Sequence, residues 1–207
     1  MIPANHDNLI MTLVSSKENP PEGVRTIRVK PLTVRDICAI GVFTAVIAVC
    51  AQISIPMPYG IPLTLQTLAV PLAGIILGPR NGTFSVLSYL LLGIVGVPVF
   101  AGLAGGPAVV FGPTGGFLLS FPFMAHIAGK GDERRKLFWL VTGLVAGTII
   151  NYLCGMLYFQ FVMSSDFEQA FSVCVLPFMP TAFLKIVCAA VFGRSLKKVL
   201  IKNKVYQ

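Results

Sequence analysis

The chain has 207 residues, of which 55% are hydrophobic and only 12% are charged, and its formal net charge is +8. A soluble domain carries about a quarter charged residues, so this composition excludes an ordinary water-soluble globular protein. The basic residues lie at the ends of apolar segments and are not interleaved with aromatic residues, which excludes nucleic-acid binding and predicts contact with anionic lipid headgroups.

The N-terminal segment 1–32 is polar, contains two consecutive prolines and has no long apolar stretch. A cleaved signal peptide requires such a stretch before small residues, so we predict a flexible cytoplasmic tail instead. The remainder of the chain, residues 33–202, is predicted to form one membrane domain.

Six apolar segments follow the tail, each close to the length that a helix needs to cross a bilayer. They cover approximately residues 37–55, 63–77, 83–99, 114–128, 137–163 and, starting between 173 and 181, up to 192. Backbone groups in lipid must be hydrogen-bonded within their own segment, and the alternation of an outer-membrane barrel is absent. We therefore predict an all-α membrane protein with six transmembrane helices.

Basic residues occupy alternate ends of these segments. They precede the first segment and follow the second, fourth and sixth, whereas the breaks after the first and third contain none. The break after the fifth carries only the acidic residues Asp166 and Glu168. Because basic residues accumulate on the cytoplasmic side, both termini are predicted to be cytoplasmic.

The stretch from Phe100 to Gly116, between predicted helices 3 and 4, is rich in glycine and proline yet almost free of charge. A solvated loop is normally more polar. Non-helical backbone at membrane depth is tolerated where it lines a cavity, so we predict a re-entrant cap. A compact linker packed on helix ends is the alternative.

Prolines mark the beginning of the sixth helix. Pro177 and Pro180 fit a first turn but not a helix interior, so the regular helix is predicted to start near Pro180 after an extended approach over 173–179. Lys185 then lies one or two turns from the helix start, in the outer half of the membrane.

Lys185 is the basic residue that lies within a predicted span, where an amine is costly and usually functional. No carboxylate falls within any predicted span, so an anionic ligand from outside is one source of a partner. The alternatives are snorkelling to the interface, an ion pair with Asp166 or Glu168, and a proton relay.

Several uncharged polar side chains also lie in the predicted spans. Thr64, Gln66, Tyr89 and Tyr152 are the best candidates for polar groups in a cavity wall. The chain has no phosphate-binding loop, no HExxH or GxSxG motif and no cysteine pair of metal-binding spacing. We predict neither an enzyme nor a cofactor, and a transport role would need an external energy source.

An ordered series of motifs resembles one known family. The segments PLTLQTLAV, LGPR and SVLSYLLLG begin at residues 62, 77 and 85, and GVPVFA and GPTGG follow at 96 and 112. They are similar to the BioY family, the biotin-specific S components of energy-coupling-factor (ECF) transporters. The resemblance covers about residues 33 to 200.

The resemblance implies a six-helix fold in the cell membrane that captures biotin at its external face, beneath the loop after helix 3. It implies as partners a T-type transmembrane coupling subunit and two cytoplasmic ATPases. The family couples through small residues on helix 1, and Gly41, Thr44, Ala45 and Ala48 match that pattern here.

The predicted substrate site combines these polar, cap and helix residues. Its members are Lys185, Thr64, Gln66, Tyr89, Phe100, Gly105, Gly106, Gly112, Thr114 and Tyr152. Ala182 stands where the family usually has an aspartate, three residues before the lysine. This departure leaves two alternatives open: another small carboxylate, pimelate- or lipoate-like, and a non-transporting membrane assembly subunit.

Overall fold

The computed structural model describes residues 31–202, except for the side chains of three of them. The predicted tail lies outside the described residues, apart from its last two. The helices in the described part are α1 (Val34–Gln52), α2 (Gln66–Ile94), α3 (Pro107–Val110), α4 (Gly115–Glu133), α5 (Leu137–Met163), α6 (Phe167–Cys174) and α7 (Met179–Lys202).

Short elements join the first two helices. Strands β1 (Ser54–Ile55) and β2 (Leu63–Thr64) pair antiparallel, and a 3₁₀ turn at Pro58–Gly60 connects them. Two further 3₁₀ turns occupy Ala101–Leu103 and Leu176–Phe178. The fold is therefore mostly helical, as predicted.

Helix α1 begins at Val34 because Thr33 caps it. The Thr33 side chain accepts a hydrogen bond from the Asp36 amide, and the Asp36 carboxylate accepts one from the Thr33 amide. The same carboxylate accepts a hydrogen bond from Asn81 Nδ2 at 2.8 Å. This contact places the start of α1 beside the middle of α2.

Helix α2 contains the second and third predicted segments as two halves. Gly78 has φ +83° and ψ 169°, which interrupts the helix, and Pro79 follows it. The halves, 66–77 and 79–94, approach so closely that a Cβ on Gly82 would overlap the backbone of Gly74. The helix ends at Ile94 rather than near residue 99, and Gly96 follows with φ +107°.

Helices α2 and α4 form the centre of the domain. Helix α1 packs on α2, α5 packs on α4, and α7 packs against both α2 and α5. A Cβ on Gly74 would overlap the Ala125 carbonyl oxygen, so the close α2–α4 contact requires glycine there. The outward faces are apolar, with Phe161 85% and Phe183 75% exposed, as expected of helices in contact with lipid.

Three helical stretches in the described part are long and apolar enough to cross a membrane: Val34–Gln52, Leu137–Met163 and Phe167–Leu200. The last includes the break between α6 and α7. Helix α5 has the bounds predicted for the fifth segment, and α4 covers the fourth.

The extended approach predicted over 173–179 is wrong. Helix α6 runs through its first residues and a 3₁₀ turn follows, because the amides of Phe178 and Met179 both donate to the Val175 carbonyl. Pro177 lies in the first turn of that 3₁₀ segment. Helix α7 starts at Met179, which confirms the predicted start near Pro180.

Candidate ligand-binding cavity

A cavity of about 220 Å³ lies between the start of α2, the segment 100–114, and helices α4, α5 and α7. Six of the ten predicted site residues line it: Thr64, Gln66, Phe100, Thr114, Tyr152 and Lys185. Most of the remaining lining is apolar and aromatic. A largely apolar cavity with a few convergent polar groups is typical of small-molecule sites.

Lys185 directs its amine toward the β2–α2 junction. Its Nζ donates hydrogen bonds to the Thr64 carbonyl oxygen at 2.7 Å and to Thr67 Oγ1 at 2.8 Å. Within residues 31–202 no carboxylate forms an ion pair with it, so neither predicted acidic partner is used. Both acceptors belong to residues that line the cavity.

A buried hydrogen-bond chain lies behind this wall. Thr64 Oγ1 donates to Gln66 Oε1 at 2.9 Å, and Gln66 Nε2 donates to Tyr89 Oη. The Tyr89 hydroxyl donates in turn to the Val99 carbonyl at 3.2 Å. Tyr89 is completely buried and does not line the cavity, so its position is that of a support for Gln66.

Three aromatic side chains form one side of the cavity. The ring centroids of Phe117, Tyr152 and Phe178 lie 6.4–6.5 Å from one another. Tyr152 Oη donates a long hydrogen bond of 3.4 Å to the Phe178 carbonyl. A Cβ on Gly155 would overlap the Phe117 ring, so the ring can occupy this position only because residue 155 is glycine. The aromatic side offers apolar contact to a ring or aliphatic chain.

The segment predicted as a cap lines the cavity through Phe100, Ala101, Ala104, Val109 and Thr114. Phe100 is 1% exposed, and its ring packs edge-to-face against the Tyr89 ring, with 5.5 Å between the ring centroids. Thr114 Oγ1 donates to the Val109 carbonyl at 3.2 Å.

The three predicted cap glycines do not line the cavity. Gly105 packs against the backbone carbonyls of Gly96 and Val97, and Gly106 precedes α3 with φ +95°. A Cβ on Gly112 would be too close to the Ala108 carbonyl. These glycines shape the cap, and their contact with a ligand stays a prediction.

Sequence reasoning omitted several lining residues from the site. One of them is Thr67, which lies in the first turn of α2, three residues after Thr64, and accepts a hydrogen bond from Lys185 as the Thr64 carbonyl does. Phe117 and Phe178 carried no distinguishing signal, because aromatic residues occur throughout the apolar segments.

Ala182 borders a second, smaller cavity that also touches Thr67, Tyr152 and Lys185. Ala182 and Lys185 therefore line the same small cavity, and Ala182 supplies no charge to it.

The small residues of α1 divide into two pairs. Gly41 and Ala45 are exposed, and nothing lies within 4 Å of a Cβ built on Gly41. Thr44 is buried and donates to the Ser85 carbonyl at 3.0 Å, while Ala48 packs on the core. Thr44 therefore faces α2, and contact of Thr44 and Ala48 with a partner stays a prediction.

The fold and cavity define a mostly helical protein with apolar outward faces and a cavity of the size of a small molecule. Residues 23–202 match the family model described as the BioY family, and the chain belongs to that family.

Similar proteins include the biotin transporter BioY of Thermotoga maritima, 39% identical over 170 residues, which cover 82% of this chain and 99% of that protein. The biotin transporter BioY2 of Lactococcus lactis is 36% identical over 164 residues, covering 78% and 90%. A crystal structure of the S-component for biotin from an ECF-type ABC transporter superposes with a TM-score of 0.75. It is 25% identical and covers 81% of this chain and 95% of that one. The chain therefore has the S-component fold and is an integral membrane protein.

Proposed function

We propose that this chain is the S component of an ECF transporter and captures biotin for uptake. The observation that carries the proposal is Lys185, a cavity-lining amine without a carboxylate partner among the described residues. Family membership and the named biotin transporters among its relatives support biotin as the ligand and a transporter rather than an enzyme.

The biotin carboxylate binds Lys185 in this proposal. An ammonium group has three N–H donors, and two of them are used by Thr64 and Thr67. The third donor is available for a charge-assisted hydrogen bond to the ligand. Phe117, Tyr152 and the other aromatic residues then contact the ring system and the aliphatic chain.

Six membrane crossings with both termini in the cytoplasm fit the distribution of charge. Asp132, at the end of α4, pairs with Lys197 of α7 at 2.6 Å, and the basic α4–α5 turn is adjacent. A Cβ on Gly129, one turn earlier, would overlap Pro79, so the kink of α2 lies at the same end. This basic end is cytoplasmic in our proposal, and the cavity with its re-entrant cap is external. The division at residue 32 into tail and membrane domain stays part of the proposal.

The chain is proposed to act in the cytoplasmic membrane with a T-type coupling subunit and two cytoplasmic ATPases. The sequence contains no phosphate-binding loop, which fits a chain that takes its energy from such partners. The exposed pair Gly41 and Ala45 leaves the α1 surface open to close approach by another helix.

Uptake of labelled biotin tests this function. The chain is expressed with and without the ECF module in biotin-auxotrophic cells that lack their own transporter. We expect uptake that depends on the module and is not reduced by excess pimelate or lipoate. Uptake inhibited by one of those acids would change the substrate. Biotin binding without any uptake would indicate a non-transporting subunit.

A further inference from the structure

Gln52, the last residue of α1, holds the cap although it does not line the cavity. Its Nε2 atom lies within hydrogen-bond distance of the Phe100 carbonyl at 3.0 Å and the Val99 carbonyl at 3.3 Å. Its Oε1 atom accepts a hydrogen bond from the Leu103 amide at 2.9 Å. One side chain thus contacts three backbone groups in residues 99–103, at the start of the cap.

The conformation of the cap explains why it needs these contacts. Residues 99–104 form a tight turn closed by a hydrogen bond from the Phe100 amide to the Ala104 carbonyl at 2.9 Å. Gly102 and Leu103 both have positive φ, +70° and +56°. A positive φ is strained for leucine, so it persists only where the surroundings fix it. The Leu103 amide obtains its acceptor from Gln52.

The same turn is also bonded to the cavity wall. The Val99 carbonyl accepts hydrogen bonds from both Gln52 and Tyr89, and Tyr89 accepts one from Gln66. The turn is therefore held on one side by Gln52 of α1 and on the other by Tyr89, which is itself hydrogen-bonded to the cavity-lining Gln66. Movement of this turn away from α1 must break its contacts with Gln52.

We propose that Gln52 is a positioning residue that keeps the cap closed and so limits the rates of ligand entry and release. The identity of the ligand in this inference rests on the proposed function. Without the Gln52 amide, the Phe100 carbonyl and the Leu103 amide must find water, whereas the Val99 carbonyl keeps its bond from Tyr89, and the open cap becomes more populated. Loss of two or three such hydrogen bonds corresponds to about a tenfold or larger change in that population.

The test compares Gln52→Leu and Gln52→Glu with a matched control, Gln169→Leu, in the purified full chain. Gln169 is an exposed glutamine on α6, outside the cap segment. Stopped-flow biotin binding gives the association and dissociation rates, and hydrogen exchange reports on the peptide that contains residues 99–104. Thermal unfolding in the same detergent monitors the fold.

For Gln52→Leu we expect dissociation about tenfold faster, faster association and a smaller change in Kd. Exchange should increase within 99–104 while the unfolding temperature stays close to that of the wild type. Gln52→Glu keeps the acceptor for the Leu103 amide, so its effects should be smaller. The control should match the wild type in all three measurements.

Unchanged rates and unchanged exchange in Gln52→Leu would overturn the inference, as would a lowered unfolding temperature without a change in the rates. Failure of the proposed function is distinguishable, because the wild-type chain itself would then not bind biotin. Exchange in the ligand-free chain still decides the role of Gln52: an increase confined to 99–104 supports it, and wild-type exchange there overturns it.

Discussion

Replacement of Lys185 by methionine removes the cavity amine while keeping a chain of similar length. Two neighbours lose their donor, the Thr64 carbonyl and the Thr67 hydroxyl, and the ligand loses its cation. A hydrogen bond to a charged group contributes about 1.5–3 kcal/mol. Biotin affinity should therefore fall by about 12- to 140-fold, at about 1.4 kcal/mol for each factor of ten.

Isothermal titration of Lys185→Met with biotin and with biotin amide separates the charge from the packing. The preference for the acid over the amide should shrink in the variant, because only the acid pairs with the ammonium. Lys198→Met, an exposed lysine on the same helix, should retain the affinity and the preference. Unchanged biotin affinity in Lys185→Met, or equal losses for acid and amide, would refute the role of the amine as the carboxylate partner.

Three further outcomes are expected. Ala182→Asp places a carboxylate in the small cavity that Lys185 also lines, where it should compete with the ligand carboxylate for the amine. The preference of this variant for biotin over biotin amide should therefore decrease, and an increased preference would refute that competition. Gly41→Leu should reduce module-dependent uptake but leave biotin binding unchanged. The control Val49→Leu, at an exposed position further along α1, should change neither uptake nor binding. Loss of binding in Gly41→Leu would refute the role of this α1 surface in coupling. A single cysteine at exposed Asp166 should react with an impermeant reagent from outside and one at exposed Glu133 only from inside; exchanged sides would refute the topology.

Local pattern was sufficient to predict several elements. Helix α5 matches its predicted bounds because an unbroken apolar segment in a membrane must form a helix to satisfy its own backbone hydrogen bonds. The break in α2 follows from the Gly78-Pro79 pair, and the start of α7 follows from Pro180. Lys185 was a candidate for the same reason: an isolated amine in an apolar segment requires an explanation.

Contacts between distant segments were not predictable. The spacing of the small residues on α1 does not show that Thr44 faces α2 while Gly41 faces outward. The two residues are three positions apart, which is less than one helical turn, and both match the same small-residue pattern. Tyr89 resembled a cavity residue but supports Gln66 from behind. The contacts of Gln52 with the cap join positions about fifty residues apart and depend on how the cap turns after α2.

Equilibrium binding of biotin to the purified wild-type chain, without any partner subunit and with biotin amide in parallel, tests the central claim most directly. The account predicts that the chain alone binds biotin and binds the amide more weakly, because the cavity supplies a cation for the carboxylate. Absence of binding for both compounds, or equal affinity for the two, would contradict it.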